Sequence, residues 1–284
     1  MTTGGDLAPS RRLALGAGAV LGAGALLGAA GCTTSGSTDP AAADGTTISP
    51  TPRSAASTIT TPTEEPSAIT ATATSASRPS VADERGPDIT TGPRGRDEVA
   101  LTFHGQGASE LTDAVLAACR TASAAVTVFA VGTWVHADPT QALALHRDGH
   151  EVGNHTWSHQ PMPQLSGSVA RTEVRKGRDA LTAALGDPGW WFRPSGTPRS
   201  TPTIRSAAVA AGYPRCVSYD VDPQDYLDPG ASAVRQRVRR DARGGSIVSL
   251  HLGHPGTAEA LPGILSDLSA VGLQPVTLSR LLRD

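Results

Sequence analysis

The chain has 284 residues, of which 38% are hydrophobic, 4% aromatic and 18% charged, and its formal net charge is −2 at pH 7. This balance leaves no strongly basic surface for a polyanion, so we expect no nucleic-acid partner. The length allows one domain with a substantial core, with residues to spare for segments that do not fold.

Residues 1–32 have the pattern of a bacterial export signal. Arg11-Arg12 precedes an apolar run from Leu13 to Leu27, which is too short and too rich in glycine for a stable membrane span. The arginine pair resembles a twin-arginine start, and Ala30-Gly31-Cys32 resembles a lipobox. We therefore expect an exported protein, lipid-anchored through Cys32 to the outer face of the cell membrane. The alternative is an ordinary cleaved signal in which Cys32 is incidental.

Residues 33–95 are mainly Thr, Ser, Ala, Pro and Gly, with few aromatic side chains. Such a segment cannot bury enough apolar surface to offset its chain entropy, which predicts a disordered, extended linker. The remaining residues, 96–284, form the predicted folded domain.

Short apolar runs alternate with longer amphipathic stretches throughout that domain. The predicted strands are Glu98–Phe103, Val126–Val131, His150–Asn154, Trp190–Arg193, Cys216–Val221, Ser246–His251 and Pro275–Leu278. The predicted helices are Leu111–Arg120, Pro139–Arg147, Val169–Leu185, Thr203–Ala211, Ala233–Ala242 and Ala258–Val271. About seven such units in one domain favour an α/β fold whose parallel sheet is closed, or nearly closed, into a barrel.

Two cysteines, Cys119 and Cys216, fall within these predicted elements. In an exported domain they could form a disulfide. They could equally be two small buried hydrophobic residues.

Residues with chemically useful side chains follow the predicted strands, where barrels place their active sites. They are His104, His155, His159, Arg193, Asp222, Asp225 and His251. The two histidines of His155-Thr156-Trp157-Ser158-His159 lie four residues apart, so both could bind one metal ion if the backbone turned helically between them.

Together these segments resemble the polysaccharide deacetylase family, the NodB-homology domain of carbohydrate esterase family 4. The resemblance covers roughly Glu98 to Leu282. It is carried by the motifs HTWSH at 155–159, Arg193-Pro194, DPQDY at 222–226 and Ser249-Leu250-His251. It implies a distorted (β/α)7 barrel and hydrolysis assisted by a divalent metal, usually zinc and sometimes cobalt or nickel.

The resemblance also implies roles for individual residues. His155 and His159 would be metal ligands, and His251 would be the general acid that protonates the departing amine. Asp225 would hold His251 oriented and protonated. Tyr226 and Leu250 would line a pocket for the acetyl methyl group or would belong to ordinary barrel packing.

The first motif departs from the family pattern. The family typically reads Thr-Phe-Asp-Asp-Gly, with the first aspartate as base and the second as metal ligand, whereas this chain reads Thr-Phe-His104-Gly105-Gln-Gly. His104 could serve as the base, because a neutral imidazole accepts protons near pH 7. It could instead become a third metal ligand, in which case Asp222 or His254 is a candidate base.

Arg193 and Gly196 also bear on whether a site with this changed first motif can work. A cation beside His104 would keep that imidazole neutral. The family's oxyanion donor is missing here, and the N–H of Gly196 is the candidate replacement.

These observations predict a metal-dependent hydrolase that removes acetyl groups from N-acetylated glycan, with peptidoglycan as the accessible substrate. The alternative is a degenerate deacetylase that only binds glycan, since both aspartates of the first motif are missing. An O-acetyl esterase would share the same site.

Overall fold

The computed structural model of the protein describes residues 78–284. The predicted signal segment 1–32, the Cys32 anchor and most of the predicted linker lie outside the described residues. The last part of that linker, residues 78–95, is described, and it packs on the domain. Ala82 and Ile89 are buried there, and Ile89 bridges Val217. Packing against the domain therefore extends to residues before 96, while the predicted division of the chain at that residue stays a prediction.

Five strands form the sheet, and all their pairings are parallel. They are β1 (Glu98–Gly105), β2 (Thr127–Ala130), β3 (Glu151–Asn154), β4 (Ile247–His251) and β5 (Gln274–Pro275). The order across the sheet is β3-β2-β1-β4, and β5 pairs with the start of β1. Strands β1 and β2 are buried along almost their whole length, as parallel strands covered on both faces should be.

Isolated bridges continue this sheet around a ring. Asn154 at the end of β3 bridges Phe192, Phe192 bridges Cys216, and Val221 bridges Val248 in β4. The predicted strands Trp190–Arg193 and Cys216–Val221 are thus present only as isolated bridges and not as continuous strands. The result is an irregular parallel α/β barrel, which confirms the predicted fold class.

Eight α-helices are present among the described residues. They are α1 (Ser109–Thr121), α2 (Gly132–Ala137), α3 (Pro139–Arg147), α4 (Gly167–Leu185), α5 (Pro202–Ala210), α6 (Ala231–Asp241), α7 (Pro255–Ala270) and α8 (Leu278–Leu281). All six predicted helices occur within two or three residues of their expected bounds, whereas α2 and α8 were not predicted. No helix within residues 78–284 has the length and apolar character needed to cross a membrane.

Cys119 and Cys216 are buried and unbonded. Cys119 lies in the main core cluster with residues of α1 and α7, whereas Cys216 lies in a separate cluster with Phe192 and Tyr213. Burial raises the pKa of each thiol to about 12. The disulfide interpretation is wrong, and the interpretation as small buried hydrophobic residues is confirmed.

A buried carboxylate holds the start of β3 to α8. Glu151 accepts hydrogen bonds from the Trp191 indole N–H at 2.9 Å, from the Thr127 hydroxyl at 3.0 Å and from both the N–H and the hydroxyl of Ser279. Burial raises the pKa of Glu151 above its ordinary value, although these hydrogen bonds oppose the rise. The ionised form is therefore less favourable in the folded state than in the unfolded chain.

This raised pKa predicts a pH dependence of stability. The folded state binds the proton of Glu151 more tightly than the unfolded chain does. The stability that this proton contributes is fully present below the ordinary pKa and is lost as pH rises through the raised pKa. The free energy of unfolding, measured with urea, should therefore fall more between about pH 5 and about pH 8 in the wild type than in Glu151→Gln, which cannot ionise at this position. Glu110→Gln, at an exposed position on α1, is the control. An equal loss in the wild type and Glu151→Gln would contradict the prediction.

Candidate active site

Four imidazole rings stand in a row at the carboxyl ends of the strands. The ring centroids of His159 and His155 are 4.9 Å apart, those of His155 and His104 are 4.7 Å apart, and those of His104 and His251 are 4.3 Å apart. The last pair is set by strand register, because His104 of β1 lies opposite His251 of β4. The predicted convergence of these residues is confirmed.

Arg193 lies beneath this row, with only 1% of its surface exposed. Its guanidinium donates to the Thr102 hydroxyl and to the Ser218 carbonyl, each at 2.8 Å, and it stacks 4.2 Å from the centroid of the Phe129 ring. Within residues 78–284 no carboxylate forms an ion pair with it. Burial lowers the pKa of Arg193 to about 9, so a buried cation without an acidic partner stands beside the histidines at neutral pH.

The pKa of His104 is held well below its ordinary value. Burial is the largest cause, and the nearby His155 and Arg193 lower the pKa further. The ring is thus neutral at pH 7, as expected for a residue beside an arginine. One ring nitrogen, Nε2, lies 3.1 Å from the Ser249 hydroxyl. A neutral imidazole in this position has a lone pair for a proton or for a metal ion.

The segment from His155 to His159 is not a helix. Thr156 and His159 have φ angles of 69° and 58°, in the left-handed region that side chains other than glycine rarely adopt. The two ring centroids still lie 4.9 Å apart, with the ring planes tilted by 57°, although the backbone between them is bent rather than helical. Non-glycine residues in this conformation cost roughly 1–3 kcal/mol each and persist where surrounding contacts enforce them.

Those contacts come from the end of β3 and from α4. The side chain of Asn154 accepts from the Thr156 N–H at 2.9 Å and donates to the Val174 carbonyl at 2.9 Å. Buried Glu173 accepts from both the N–H and the hydroxyl of Ser158, each at 2.8 Å. Glu173 was not predicted from the sequence, although it lies beside the apolar face of α4, where a carboxylate is unusual.

Helix α4 passes so close to this loop that only glycine fits at its point of contact. A Cβ built on Gly177 would meet Asn154 Oδ1 and would lie 2.8 Å from the carbonyl oxygen of Thr156. We expect Gly177→Ala to push the loop off the helix, to cost about 1–3 kcal/mol of stability and to separate the two rings. Thermal unfolding and metal titration would measure both effects.

Gly167→Ala is the matched control, because a Cβ at that position of the same helix would make only ordinary contacts at 3.5 Å and beyond. Equal behaviour of the two variants would show that the loop does not depend on this close approach.

The orientation of His155 is fixed by one hydrogen bond. Its Nδ1 lies 2.8 Å from the carbonyl oxygen of Arg193, so Nδ1 carries the proton and Nε2 keeps its lone pair. This Nε2 is buried and has no hydrogen-bond partner. Burial and the neighbouring His159 hold the pKa of His155 well below its ordinary value. A buried, neutral imidazole with an unsatisfied acceptor is the arrangement expected of a metal ligand.

Asp225 and His251 form a tightly bonded pair on the other side of His104. Asp225 accepts from the ring Nδ1 of His251 at 2.8 Å, from its backbone N–H at 2.7 Å and from the Thr257 hydroxyl at 2.6 Å. Burial would raise the pKa of Asp225, but these hydrogen bonds outweigh it and lower the pKa below its ordinary value. The carboxylate stays ionised and directs Nε2 of His251 away from itself, as predicted.

The predicted substrate contacts have different outcomes. Tyr226 is 44% exposed, with its ring 5.4 Å from that of His251, so it lies at the edge of the site. Leu250 is fully buried in the core cluster shared with α1 and α7, which supports its alternative interpretation as ordinary barrel packing. Its neighbour Ser249 faces His104 instead, because successive strand residues point to opposite faces. Gly196 is exposed and packs against Pro161, and its role as an oxyanion donor stays a prediction.

The candidate bases named as alternatives to His104 lie further out. Asp222 is exposed, and its side chain accepts from the Gln224 N–H at 2.9 Å. His254 lies beyond His251, with ring centroids 5.7 Å apart, and its Nδ1 is 2.8 Å from Asp228. Neither residue belongs to the row of four rings, whereas His104 lies within it, between His155 and His251.

The imidazoles of the row are the candidate ligands for a divalent metal ion. Among the described residues, no three His, Cys, Asp or Glu side chains converge as a complete metal-binding group. The donor chemistry nevertheless fits, because His155 presents an unsatisfied buried nitrogen and the His159 ring lies beside it. Gly105 has no side chain and cannot supply the family's carboxylate. A Cβ built there would lie 2.8 Å from Val128 and 2.9 Å from Ala130. His104 is the nearest group that could complete the set.

A cavity of about 870 Å³ lies elsewhere, between α1 and α7. Its lining is mostly alanine, leucine, serine and threonine and contains no titratable side chain. It therefore offers no groups for hydrolytic chemistry.

A parallel α/β barrel that collects histidines, a buried arginine and an Asp–His pair at its strand ends defines a class of barrel hydrolases. Similarity to known proteins identifies the family within this class. Residues 91–215 match the polysaccharide deacetylase family. The chain is 31% identical over 194 residues to a peptidoglycan-N-acetylglucosamine deacetylase of Bacillus cereus, covering 67% of this chain and 91% of that protein. The chain belongs to the polysaccharide deacetylase family.

Other relatives and solved structures belong to the same family. The peptidoglycan-N-acetylmuramic acid deacetylase PdaC of Bacillus subtilis is 27% identical over 183 residues, covering 64% of this chain but 38% of that longer protein. A family 4 carbohydrate esterase from Streptomyces lividans superimposes with a TM-score of 0.58 at 30% identity, covering 63% of this chain and 91% of that one. A family 4 pseudoenzyme from Bacillus anthracis gives a TM-score of 0.65 at 25% identity, covering 70% and 71% of the two chains.

Proposed function

We propose that this protein is a metal-dependent hydrolase that removes acetyl groups from N-acetylated glycan outside the cytoplasm, with peptidoglycan as its substrate. The observation that carries the proposal is the buried, unsatisfied Nε2 of His155, which lies in a row with His159, His104 and the Asp225–His251 pair. The names of the relatives supply the substrate class. Deacetylases of this family are generally metal-dependent.

His155 and His159 would hold the metal ion, with His104 as the third ligand or as the base. When bound, such an ion polarises an amide carbonyl and lowers the pKa of a bound water. Zinc is the ion that suits imidazole ligands best in hydrolases, and cobalt or nickel could replace it. The protein itself contributes orientation, because the carbonyl of Arg193 fixes the His155 ring.

Proton transfer falls to His104 and His251, whose rings are neighbours. His104 is held neutral by burial and by Arg193, so it can accept a proton from the attacking water. His251 is oriented by Asp225 and can donate a proton to the departing amine. The reaction then yields acetate and a free amino sugar.

The test uses the purified protein after chelation and after reloading with zinc or cobalt. We expect one equivalent of metal to bind and acetate to be released from N-acetylglucosamine oligomers only by the loaded protein. A chelated protein that releases no acetate and does not regain activity on reloading would overturn the proposal.

A second candidate function is glycan binding without catalysis. It is favoured by the loss of both aspartates of the first motif, by the tightly packed Gly105 and by the likeness to a family 4 pseudoenzyme. Against it, the Asp225–His251 pair and the buried Arg193 are retained, and groups of this kind are costly to bury without a use. An O-acetyl esterase would use the same site, and acetate release from O-acetylated glycan would reveal it.

Anchoring through Cys32 is part of the proposal. Cys32→Ala should move the protein from the membrane fraction to the soluble extracytoplasmic fraction if residue 32 carries the lipid. An unchanged distribution would leave the ordinary secretory signal as the better interpretation.

A further inference from the structure

Residues 87–92, here called the strap, pack on the barrel ahead of β1. Ile89 in the strap is buried, and its backbone N–H donates to the Cys216 carbonyl at 2.9 Å while its own carbonyl accepts from the Ser218 N–H at 2.7 Å. Asp88, the residue before it, precedes the part of the chain that matches the family. The buried neighbour thus fixes the backbone of Asp88 against the barrel.

The side chain of Asp88 holds the far end of the loop at residues 194–200, which follows Arg193 along the chain. One carboxylate oxygen accepts from the Ser200 N–H at 2.7 Å, and the other accepts from the Ser200 hydroxyl. Hydrogen bonds to an ionised carboxylate are stronger than those between neutral groups. Two of them from one residue anchor this end of the loop to the strap.

Ser218 is the second anchor of the loop. Its hydroxyl donates to the Pro198 carbonyl at 2.5 Å, and its own carbonyl accepts from the Arg193 guanidinium at 2.8 Å. Only 4% of the residue is exposed. One buried serine therefore links the strap, the loop and the cation that lies beneath the histidine row.

The near end of the loop is tied to the segment that carries the histidine pair. The Ser195 hydroxyl donates to the Gln160 carbonyl at 2.6 Å and accepts from the Thr156 hydroxyl at 3.1 Å. Gly196 follows with a φ angle of 68° and packs against Pro161. Anchors at both ends of the loop leave Gly196 between them, with little freedom to move.

We propose that Asp88 and Ser218 are positioning residues, which hold the loop and its Gly196 N–H in place for the reaction. The role of the loop in hydrolysis rests on the proposed function, in which Gly196 is the candidate oxyanion donor. A donor contributes most when it is already aimed at the place where charge develops, and a mobile loop loses this advantage. Neither side chain belongs to the histidine row, so each acts through the loop.

NMR relaxation of the backbone amides in the full chain measures the loop directly. The Gly196 amide should have an order parameter of about 0.85 in the wild type and below about 0.6 in Asp88→Ala. Asp88→Asn should restore the wild-type value, because its amide oxygen accepts from the Ser200 N–H and its amide nitrogen donates to the Ser200 hydroxyl oxygen. An unchanged order parameter in Asp88→Ala would overturn the proposal.

Two further variants exclude a general structural effect. Ser218→Ala removes the hydroxyl bond to Pro198 but keeps the backbone bonds of residue 218, so it loosens the same loop independently of Asp88. Asp83→Ala is the matched control, because it removes an aspartate that pairs at 3.1 Å with Arg78 on the surface ahead of the strap. Gly196 should keep its order in Asp83→Ala and lose it in Ser218→Ala.

The kinetics of acetate release by the metal-loaded protein give the second readout. Asp88→Ala and Ser218→Ala should each lower kcat about ten- to a hundredfold and change KM less than about twofold, because an oxyanion donor acts mainly in the transition state. Asp88→Asn and Asp83→Ala should stay within about twofold of the wild type. A purely structural role predicts lower stability with a wild-type kcat in the protein that stays folded, and this result would overturn the proposal.

The two readouts separate the anchoring of the loop from the proposed function. Loss of order at Gly196 in both alanine variants, together with a wild type that releases no acetate, would support the anchors and reject the hydrolase. Acetate release by a wild type whose kcat and Gly196 order do not depend on Asp88 or Ser218 would support the hydrolase and reject the anchors.

Discussion

Replacing His104 with alanine is expected to reduce acetate release by about two to four orders of magnitude while leaving oligosaccharide binding nearly unchanged. His104 is the neutral imidazole at the centre of the histidine row, 4.7 Å from the His155 ring and 4.3 Å from the His251 ring. As base or as third ligand, it acts mainly in the transition state. The loss should therefore appear in kcat, with little change in KM.

Metal titration separates the two roles of His104. If it is a ligand, His104→Ala should weaken zinc binding by an order of magnitude or more; if it is the base, zinc affinity should change little. His146→Ala controls for loss of an exposed imidazole elsewhere. An active protein that loses less than about tenfold in kcat on His104→Ala would show that His104 has neither role.

The convergence of the site could be predicted from sequence because strand ends meet at one edge of a parallel barrel. His104 is the penultimate residue of β1, His155 follows β3 and His251 ends β4, so the fold itself brings them together. Helix α2 was missed because its six residues carry little periodic signal. Glu173 was missed because its partner is a backbone N–H of a bent loop, and such contacts leave no trace in residue type.

Two details of the site depend on the backbone and could not be read from the motifs alone. The motif leaves Leu250 either in the substrate pocket or in ordinary barrel packing, and strand alternation turns it to the core and turns Ser249 to the site. A helical turn between His155 and His159 would let both rings reach one metal ion, but left-handed residues bring the rings together instead. Spacing predicted the proximity of the rings, but it could not predict the backbone path, which depends on contacts with α4.

Gly105 shows how the changed first motif is built into the fold. The residue pairs with Ala130, so the ladder between β1 and β2 continues through the position where the family has its second aspartate. A Cβ there would lie within 3.0 Å of three atoms of β2, including the Phe129 carbonyl oxygen. Restoring an aspartate at this position therefore requires β1 and β2 to separate. The structure favours recruitment of a neighbouring group over reconstruction of the original ligand set.

Asp225→Asn is expected to reduce kcat by about two to four orders of magnitude without unfolding the protein. The asparagine oxygen can still accept from the backbone N–H of His251 and from the Thr257 hydroxyl, so the turn keeps most of its hydrogen bonds. The amide nitrogen, however, is a donor and cannot accept from Nδ1 of His251. The ring then favours the other tautomer and loses the carboxylate that stabilises its protonated form, so it becomes a poor acid.

Thr257→Val tests whether this loss comes from charge or from packing. It removes one hydrogen bond of 2.6 Å to Asp225 but keeps the carboxylate beside His251, so we expect only a several-fold reduction in kcat. If Asp225→Asn keeps its thermal stability and also its activity, then His251 does not need a carboxylate partner, and proton donation to the leaving amine must come from another residue at the mouth of the barrel.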